Sequence, residues 1–475
     1  MKVKELPIIN RPEVFVRLHQ ESKNLNRKII VLDDDPTGVQ TVHDIYVYTN
    51  WKEETIREAF LDGKTMSFIL TNSRSLSEEE TKKIHRDIGK RIENISKELG
   101  IQYILISRGD STLRGHYPLE TNTLKEAVIE VGGDDFDGEI ILPFFPEGGR
   151  YTIGNIHYVN ENEVLVPVGE TEFSKDSTFS FHSSDLRAFV EEKSRGAYKK
   201  EDCFTISLED LRESSSTFLA ECIMAATNFT KIIVNAVCYT DVALFCTAWV
   251  LAMKQGKNYM VRSAAALPKV IGGIEDIPLL DSDLICSEYQ QHGGLIVVGS
   301  HVKKTTEQLT YLRNSSIPIH FEEFSISGRK TVNLCNLSEI LKKEADRIKT
   351  IVEEEIKKGK TVAIYTSREL FAIDFTDKEQ MLWISVQISN ALTDIVARLS
   401  VSPKYLIAKG GITSSDVGTK GLSVRRALVL GQVQPGVPVW KTGEESNFRN
   451  LPYVIFPGNV GNVETLYDVV KILER

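Results

Sequence analysis

The sequence predicts an α/β protein of two domains, each built on a mainly parallel sheet. Short apolar runs alternate with longer amphipathic segments, a pattern typical of strand–helix–strand units. The alternation stops near residue 271 and starts again near residue 294. The chain also has 475 residues, whereas one ordinary domain has about 100–200.

Five apolar runs in the first half have the composition of buried parallel strands. They are Ile29–Leu32, Ser67–Leu70, Tyr103–Ser107, Glu139–Pro143 and Lys231–Ala236. The segment Ser77–Leu99 is predicted to be a helix, because Ser77 can serve as its N-cap and acidic residues follow in the first turn. Residues Tyr158–Val168 break this rhythm, and their alternation predicts a hairpin or an antiparallel edge.

Residues 271–293 contain paired glycines and acidic residues without periodicity, which is typical of a linker. We therefore predict one domain over residues 1–270 and a second over residues 294–475. In the second domain the predicted strands are Gly294–Ser300, Ile317–Glu323, Thr361–Ser367 and Tyr405–Gly410, followed by the apolar segments RALVLGQV and PYVIFPGNVG. The predicted helices are Thr305–Asn314, Leu337–Lys358, Glu379–Leu399 and Val463–Leu473.

Composition excludes several classes of function. The net charge is −9, which disfavours nucleic acids and anionic membranes as partners. No apolar run reaches the length of about 18 residues that a membrane span needs, and the N-terminus lacks the apolar core of a secretion signal. The six cysteines are scattered without a CxxC pair, so free thiols in a cytoplasmic protein are expected.

Polar residues follow each predicted strand of the first domain, in the stretches DDDPTG, TNSRS, SRGDSTLRG and FFPEGGRYT. Arginine forks in these stretches suit a carboxylate or a phosphate. Aspartates can accept hydrogen bonds from sugar hydroxyls, and one could act as a general base. Ligands bind beyond the carboxyl ends of parallel strands, so these residues predict a site for a small, anionic polyhydroxy compound. The alternative is that Arg and Asp only pair with each other at a polar sheet edge.

Glycines and small hydroxyl residues follow the strands of the second domain, in Val298–Thr306, Ala408–Asp416 and Phe456–Asn462. Glycine lets a ligand approach the backbone, and N–H groups at a helix start favour phosphate. The chain has neither GxxxxGK[ST] nor GxGxxG, so a P-loop and an ordinary dinucleotide site are not expected. Each Gly-Gly could also be a plain turn. A hydroxy-acid site beside a polyphosphate site is the layout of a kinase.

These motifs resemble the four-carbon acid sugar kinase family over nearly the whole chain. The resemblance runs through DDDPTGVQT, TNSRS, RGDSTLRG, LPFFPEGGRYT, VVGSHVKKTTEQL, AKGGITSSD, GQVQPGVPVW and FPGNVG. It implies a sugar-acid-binding first domain, an ATP-binding second domain and an active site in the interdomain cleft. The implied reaction is phosphorylation of a hydroxyl on an acid such as threonate, erythronate or 3-oxo-tetronate. The DDDPTG and GGITSSD motifs depart from the family pattern, which indicates a longer subgroup.

The resemblance and the polar strand ends together name the candidate site residues. On the acid side they are Asp33, Asp34, Arg74, Arg108, Asp110, Ser111, Arg114 and Arg150. On the ATP side they are Ser300, Lys409, Gly410, Gly411, Ile412, Thr413, Gly458, Asn459 and Gly461. Lys409 could reach a phosphate or only face solvent.

The predicted mechanism uses an aspartate as base. The carboxylate of the acid docks on Arg74 and Arg114, and Asp34 or Asp110 accepts the proton of the attacking hydroxyl. Mg²⁺ would bridge the phosphates and touch one carboxylate. Asp416 and the Asp33–Asp35 cluster are the candidate ligands, and helix capping is the alternative role of Asp416.

Two other functions fit parts of the sequence. One is a sensor that binds a sugar acid and a nucleotide without transfer, although the polar strand ends of both halves are intact. The other is an oxidoreductase, which the missing dinucleotide fingerprint disfavours. The oligomeric state is open, with a homodimer as one alternative.

Overall fold

Parallel strands flanked by helices build both halves of the chain, as the alternation of apolar and amphipathic segments predicts. The structure is a computed structural model that describes residues 2–285, 288, 290–325, 337–367 and 378–475. It divides into two units, Met1–Asp276 and Ile277–Arg475. The predicted fold class of two mainly parallel α/β domains is confirmed. The predicted linker, 271–293, lies partly outside the described residues, and its limits and the interdomain cleft stay predictions.

The first unit contains a parallel sheet and a small antiparallel sheet. Its strands are β1 (Arg27–Asp33), β2 (Ile45–Tyr48), β3 (Met66–Leu70), β4 (Gln102–Arg108), β5 (Gly138–Leu142), β6 (Arg150–Ile153), β7 (Ile156–Glu161), β8 (Val164–Pro167), β9 (Phe204–Ile206), β10 (Thr230–Val234) and β11 (Tyr259–Ser263). Its helices are α1 (Pro12–Lys23), α2 (Glu53–Leu61), α3 (Glu78–Leu99), α4 (Leu119–Glu130), α5 (Leu186–Lys193), α6 (Leu208–Glu213), α7 (Ser216–Met224), α8 (Tyr239–Lys254) and α9 (Ala266–Ile271).

The parallel sheet of this unit has the order β2-β3-β1-β4-β11-β5-β10-β9. Ile30 and Val31 of β1 are completely buried, as expected for a central strand covered by helices on both faces. The chain moves from β1 to one side for β3 and to the other side for β4, so strand order reverses between β1 and β4. Such a reversal opens a crevice beyond the strand ends where ligands bind.

Local sequence signals explain several boundaries. Helix α3 begins after Ser77, whose hydroxyl accepts a hydrogen bond from the backbone N–H of Glu80, and the Glu80 side chain accepts one from the N–H of Ser77. This reciprocal capping satisfies two otherwise unpaired donors. The helix ends at Gly100, where φ is +65°, a conformation that glycine adopts without a steric penalty. The predicted antiparallel region is confirmed as the sheet β6-β7-β8, which begins earlier than predicted, at Arg150.

The second unit repeats the doubly wound design with an antiparallel extension. Its strands are β12 (Leu295–Val298), β13 (Ile319–Phe324), β14 (Thr361–Thr366), β15 (Leu406–Lys409), β16 (Arg426–Gln434), β17 (Val437–Thr442) and β18 (Pro452–Phe456). Its helices are α10 (Lys303–Arg313), α11 (Leu337–Lys357), α12 (Lys378–Ala397), α13 (Gly411–Asp416) and α14 (Thr465–Leu473). Strands β13-β14-β12-β15-β18 are parallel, and β17 and β16 continue the sheet antiparallel. Strand order reverses between β12 and β15.

Five strands are not anticipated by the sequence pattern, namely β2, β6, β9, β11 and β17. Strands β2, β6 and β9 have only three or four residues, and β17 pairs with both β16 and β18. Strand β11 lies at the centre of its sheet, between β4 and β5. Its sequence, YMVRS, contains Arg262, and a charged residue interrupts the apolar run that marks a buried strand.

Two expectations from composition can be compared with the structure. Among the described residues, no helix combines the length and apolarity needed to cross a lipid bilayer. Four cysteines, Cys203, Cys222, Cys238 and Cys246, are free thiols. Cys286 and Cys335 lie outside the described residues.

Candidate active site

The DDDPTG stretch lies at the point where strand order reverses in the first unit. Asp33 is the last residue of β1 and pairs in register with Arg108, the last residue of β4. The TNSRS stretch follows β3, the other neighbour of β1, and the backbone N–H of Arg74 donates to the carbonyl oxygen of Asp34 at 3.4 Å. The topology therefore brings three of the predicted polar strand ends together.

Asp34 is a buried carboxylate that accepts no hydrogen bond from the described residues. Its exposed fraction is 2%, and neither carboxylate oxygen accepts a hydrogen bond within the part of the chain that the structure describes. The guanidinium groups of Arg74 and Arg108 lie 3.7 and 3.6 Å from its Oδ1 atom. Burial raises the pKa of Asp34 to about 6, although these arginines act in the opposite direction. A buried acceptor that is left unsatisfied is costly, so Asp34 is suited to receive a hydroxyl from a ligand.

The neighbouring aspartates have different environments. Asp33 contacts Arg108 at 3.3 Å, and burial raises its pKa to about 7. Burial acts on Asp35 in the same direction, but Arg74 at 2.5 Å and two hydrogen bonds from Thr37 lower the pKa of Asp35. The chain can pack this closely because residue 38 is glycine, where a Cβ atom would lie 1.9 Å from Asp33 Oδ2.

Asp110 lies in the same network but is already paired. Arg74 NH1 lies 3.3 Å from its Oδ1 atom, and Arg114 Nε donates to its Oδ2 atom at 2.8 Å. Burial alone would raise the pKa of Asp110, but the two arginines and a hydrogen bond from Thr112 hold it well below its usual range. A base must take up a proton near neutral pH, so this environment favours Asp34 over Asp110 as the base.

We expect Asp110→Asn to lower turnover much less than removal of the Asp34 charge, because Asp110 holds Arg74 and Arg114 in place and is a poor proton acceptor. Its main effect should be a rise in the KM of the acid, with an unchanged KM for ATP. Steady-state kinetics with each substrate varied in turn would measure this. A larger loss of kcat in Asp110→Asn than in Asp34→Asn would instead identify Asp110 as the base.

Arg114 and Arg150 share an aromatic neighbour. Their guanidinium carbons lie 5.1 and 5.6 Å from the ring centre of Phe173, within the range of a cation–π contact. The Nε atom of Arg150 is buried and makes no hydrogen bond to the described residues. The Ser111 carbonyl oxygen accepts a hydrogen bond at 2.8 Å from His157 Nε2. The acid-side residues therefore gather around one strand edge, while their individual roles stay predictions.

Two residues beneath this edge, the partly buried Arg262 and the buried Glu120, escape the sequence analysis. Arg262 of β11 donates through NH1 to Ser107 Oγ at 2.8 Å and also to Glu120 Oε2. Glu120 in α4 in turn accepts a hydrogen bond at 2.6 Å from Ser73, the neighbour of Arg74. The sequence signal that could have identified Arg262 is a single arginine near the end of the short apolar run YMVRS. The predicted strands do not include this run.

The glycine-rich strand ends of the second unit also meet. The N–H of Ser300 donates to the Lys409 carbonyl oxygen at 3.3 Å, and the N–H of Gly410 donates to the Phe456 carbonyl oxygen at 2.8 Å. The hydroxyl of Thr305 donates to the Gly458 carbonyl oxygen at 2.9 Å. These bonds join the ends of β12, β15 and β18, as expected from the predicted parallel sheet.

Glycine is required by close approach at these ends. Gly410 has φ +124°, and a Cβ atom there would lie 3.0 Å from Ser300 Cβ. A Cβ atom at Gly458 would lie 2.7 Å from Ser300 Oγ. A Cβ atom at Gly299 would lie 2.2 Å from Thr413 Oγ1, so Thr413 packs against the same turn. At the partly buried Gly299 and Gly458, the absence of a side chain allows a ligand to approach the backbone closely, which suits a phosphate chain.

We expect Gly458→Ala to raise the KM for ATP about tenfold, equivalent to about 1.4 kcal/mol, because its methyl group would displace Ser300. The KM for the acid should not change. Lys303→Ala is a matched control, since the Lys303 side chain is 92% exposed and lies at the start of α10, shortly after Ser300. Equal ATP affinity in Gly458→Ala and the parent would remove Gly458 from the phosphate site.

The other residues predicted on the ATP side are in varied positions. Lys409 is completely buried, and its Nζ atom donates to the Pro457 carbonyl oxygen at 3.1 Å, so the alternative that it faces solvent is wrong. Ile412, next to Gly411, is 67% exposed. The carbonyl oxygen of Asn459 accepts a hydrogen bond from Lys304 at 3.1 Å. Gly461 adopts φ +80°.

Asp416 is the last residue of α13 and pairs with Lys420 at 2.8 Å. At about 1.5 Å per residue, Asp416 lies roughly 7.5 Å along the helix axis from Gly411, at the end of the helix that is remote from the glycine turn. It makes no side-chain cap hydrogen bond, so the helix-cap alternative is wrong. Within the described residues, no three His, Cys, Asp or Glu side chains are grouped to hold a metal. The metal role of Asp416 stays a prediction that its surroundings do not support.

Comparison with known proteins agrees with a sugar-binding first domain and a nucleotide-binding second domain. Residues 29–271 match the model of a sugar-binding N-terminal domain, and residues 295–466 match that of a nucleotide-binding C-terminal domain. A search among curated proteins finds no match.

Two solved structures share the fold. Haemophilus influenzae protein HI1011, of the family DUF1537, has a TM-score of 0.62 at 17% identity, covering 94% of this chain and 100% of its own. A protein of Salmonella typhimurium LT2 has a TM-score of 0.65 at 16% identity, covering 93% of this chain and 98% of its own. Because the two domain models together span most of the sequence, the chain belongs to the four-carbon acid sugar kinase family, which joins a sugar-binding N-terminal domain to a nucleotide-binding C-terminal domain.

Proposed function

We propose that the protein is an ATP-dependent kinase that phosphorylates a hydroxyl of a small sugar acid. The observation that carries this proposal is the Asp34 carboxylate, which is buried, surrounded by arginines and without a hydrogen bond among the described residues. An anionic ligand with a hydroxyl would supply both the missing donor and a partner for the arginines. The sugar-binding and nucleotide-binding domain matches supply the two substrate classes.

In this proposal the residues mainly position and neutralise, as phosphoryl transfer requires. Arg74 and Arg114 bind the carboxylate of the acid, and Asp34 orients its hydroxyl and accepts the proton. The turns around Ser300, Gly410 and Gly458 bind the phosphates of ATP through backbone N–H groups other than those of Ser300 and Gly410, which donate to carbonyl oxygens within the domain. Bound Mg²⁺ would neutralise charge on the phosphate oxygens.

The finer proposal is a four-carbon acid such as threonate, erythronate or 3-oxo-tetronate, or a branched analogue. The test is a panel of four- and five-carbon sugar acids incubated with ATP and Mg²⁺, with ADP formation as the readout. Acid-dependent ADP release, together with a phosphorylated acid detected by mass spectrometry, is the expected result. Binding of both ligands without ADP release from any acid would favour a sensor instead.

A pH dependence follows from Asp34 as the base. Because its pKa is raised to about 6, the carboxylate is protonated and inactive at lower pH. We therefore expect kcat/KM for the acid to rise with pH, with a half-maximum near pH 6, and to level off above neutral pH.

The contribution of Asp34 to the free energy of unfolding changes with pH in the opposite direction, because burial disfavours the charged form of the carboxyl group. This contribution has its full value below about pH 4 and decreases as pH rises through about 6.

The control for this profile is Asp34→Asn, whose residual activity should lose the step near pH 6. A parent profile that is flat from pH 5 to about 8 would contradict Asp34 as the base.

A further inference from the structure

Arg262 is held rigidly beneath the acid-side strand edge. It lies in the central strand β11, and its guanidinium NH1 donates to Ser107 Oγ at 2.8 Å and to Glu120 Oε2. Glu120 is almost completely buried and is itself held by Ser73. One nitrogen of Arg262 is thus fixed by two partners, which sets the orientation of the whole planar group.

The second terminal nitrogen of Arg262, NH2, has a different environment. It makes no hydrogen bond to any residue that the structure describes, although NH1 makes two. It lies against two glycines of the SRGDSTLRG stretch, since a Cβ atom would lie 2.2 Å from NH2 at Gly109 and 3.0 Å from it at Gly115. Any larger residue at either position would collide with the guanidinium group or displace it.

Arg262 and Asp34 both lie close to Gly115. The Cβ position of Gly115 that lies 3.0 Å from Arg262 NH2 lies 3.4 Å from Asp34 Oδ2. The other carboxylate oxygen, Oδ1, is flanked by Arg74 and Arg108. Oδ2 therefore faces a glycine surface with a donor of Arg262 beside it. A hydroxyl group in this region could donate to Oδ2 and accept from NH2 at the same time.

We propose that Arg262 is a substrate-binding residue whose NH2 group donates a hydrogen bond to the hydroxyl oxygen that is phosphorylated. This inference rests on the proposed kinase function and adds a residue that contacts the reacting oxygen. During transfer the O–H bond of the acid breaks and its proton passes to Asp34. The oxygen bonds to the γ-phosphorus of ATP, and the bond from that phosphorus to the β-γ bridging oxygen breaks to release ADP. Arg262 gives up no proton and stabilises the negative charge on the attacking oxygen.

If Arg262 had only a structural role, its second terminal nitrogen would not be needed. The ion pair with Glu120 uses only NH1, and a lysine ammonium could replace that contact as a point charge. The planar fork is needed only if NH2 has a partner of its own. The position of NH2 beside the Asp34 carboxylate, whose oxygens accept no hydrogen bond from the described residues, therefore favours a role in binding.

The test compares Arg262→Lys and Arg262→Ala with the parent chain, using an acid that the panel identifies. We expect both variants to lower kcat/KM for the acid by about 10²–10³-fold, the usual cost of losing one donor to a developing oxyanion. The KM for ATP should stay within about twofold. Guanidinium chloride, added well below denaturing concentrations, should restore part of the activity of Arg262→Ala, whereas ammonium chloride should not.

Controls separate this role from loss of stability. Arg212→Ala removes a similar ion pair, in which Arg212 Nε and NH2 donate to buried Asp241 at 2.8 and 2.9 Å, and it should lower stability without changing turnover. Since Arg262→Ala leaves Glu120 unpaired, circular dichroism must show that it is folded. Arg262→Lys retains a charge for Glu120 and is the second variant if the first unfolds.

Parent-like kcat/KM in Arg262→Lys, or a folded Arg262→Ala that guanidinium does not rescue, would overturn the inference and leave the kinase function intact. If the parent releases no ADP with any acid, the kinase function fails. Calorimetric titration of the acids into parent and Arg262→Lys then decides the inference. Weaker binding by the variant supports it, and equal or absent binding overturns it.

Discussion

Asp34→Asn is expected to lower kcat for acid phosphorylation by about 10²–10⁴-fold, the usual contribution of a positioned general base. The amide has nearly the same shape as the carboxylate but cannot accept the hydroxyl proton at neutral pH. Its effect should be confined to turnover, because Asp34 lies in the sugar-binding domain and its oxygens support no hydrogen bond among the described residues. ATP affinity, measured by calorimetry without the acid, should equal that of the parent.

The stability of Asp34→Asn gives a second readout. Removing a buried charge whose pKa is raised should stabilise the fold at neutral pH or leave it unchanged, since the parent must hold that carboxylate ionised against its burial. Asp110→Asn, which removes a carboxylate with a lowered pKa, should destabilise the fold at the same pH. Parent-level turnover in Asp34→Asn would refute the assignment of the base.

Arg74→Met is expected to destabilise the first unit by about 3–5 kcal/mol at neutral pH, the usual result of removing one partner from a buried charge network. Arg74 contacts Asp34, Asp35 and Asp110 at 3.7, 2.5 and 3.3 Å. Without it, three carboxylates near one strand edge would lose their shared cation. The substitution should also abolish measurable binding of the acid.

The pH dependence of this effect has a definite sign. The pKa values of Asp35 and Asp110 are lowered in the folded state, so their ionisation stabilises the parent above the unfolded value of about 3.9. This stabilisation is lost as pH falls through the folded pKa values. The difference between parent and Arg74→Met should therefore be largest near pH 7 and should decrease below about pH 4, where the carboxylates of the variant are protonated.

Urea unfolding at several pH values would measure both effects. Arg57→Met is the matched control, since Arg57 forms an ion pair with Glu98 at 2.7 Å on the surface, and exposed pairs contribute little. Its unfolding midpoint should match that of the parent at every pH. Equal midpoints for parent and Arg74→Met at pH 7 would show that the aspartates do not depend on this arginine.

Much of the fold follows from local sequence. The apolar run Ile29–Leu32 forms the centre of β1, and α3 begins after Ser77 as its capping signal predicts. These features depend on periodicity and on side chains three residues apart, which a sequence displays directly. Strand β11 does not follow from the sequence pattern, because Arg262 interrupts a run of only five residues and pairs with Glu120, which is distant in sequence.

The sequence by itself determined which chemistry gathers at the strand ends, because parallel strands bring their carboxyl ends to one edge whatever the detailed packing. Tertiary structure alone decided the state of each group. Asp34 and Asp110 have the same side chain, yet burial raises the pKa of Asp34, whereas close arginines lower the pKa of Asp110. Ionisation depends on desolvation and on charges within a few ångströms, and the contacts of Asp34 with Arg108 and of Asp110 with Arg74 join residues far apart in the chain.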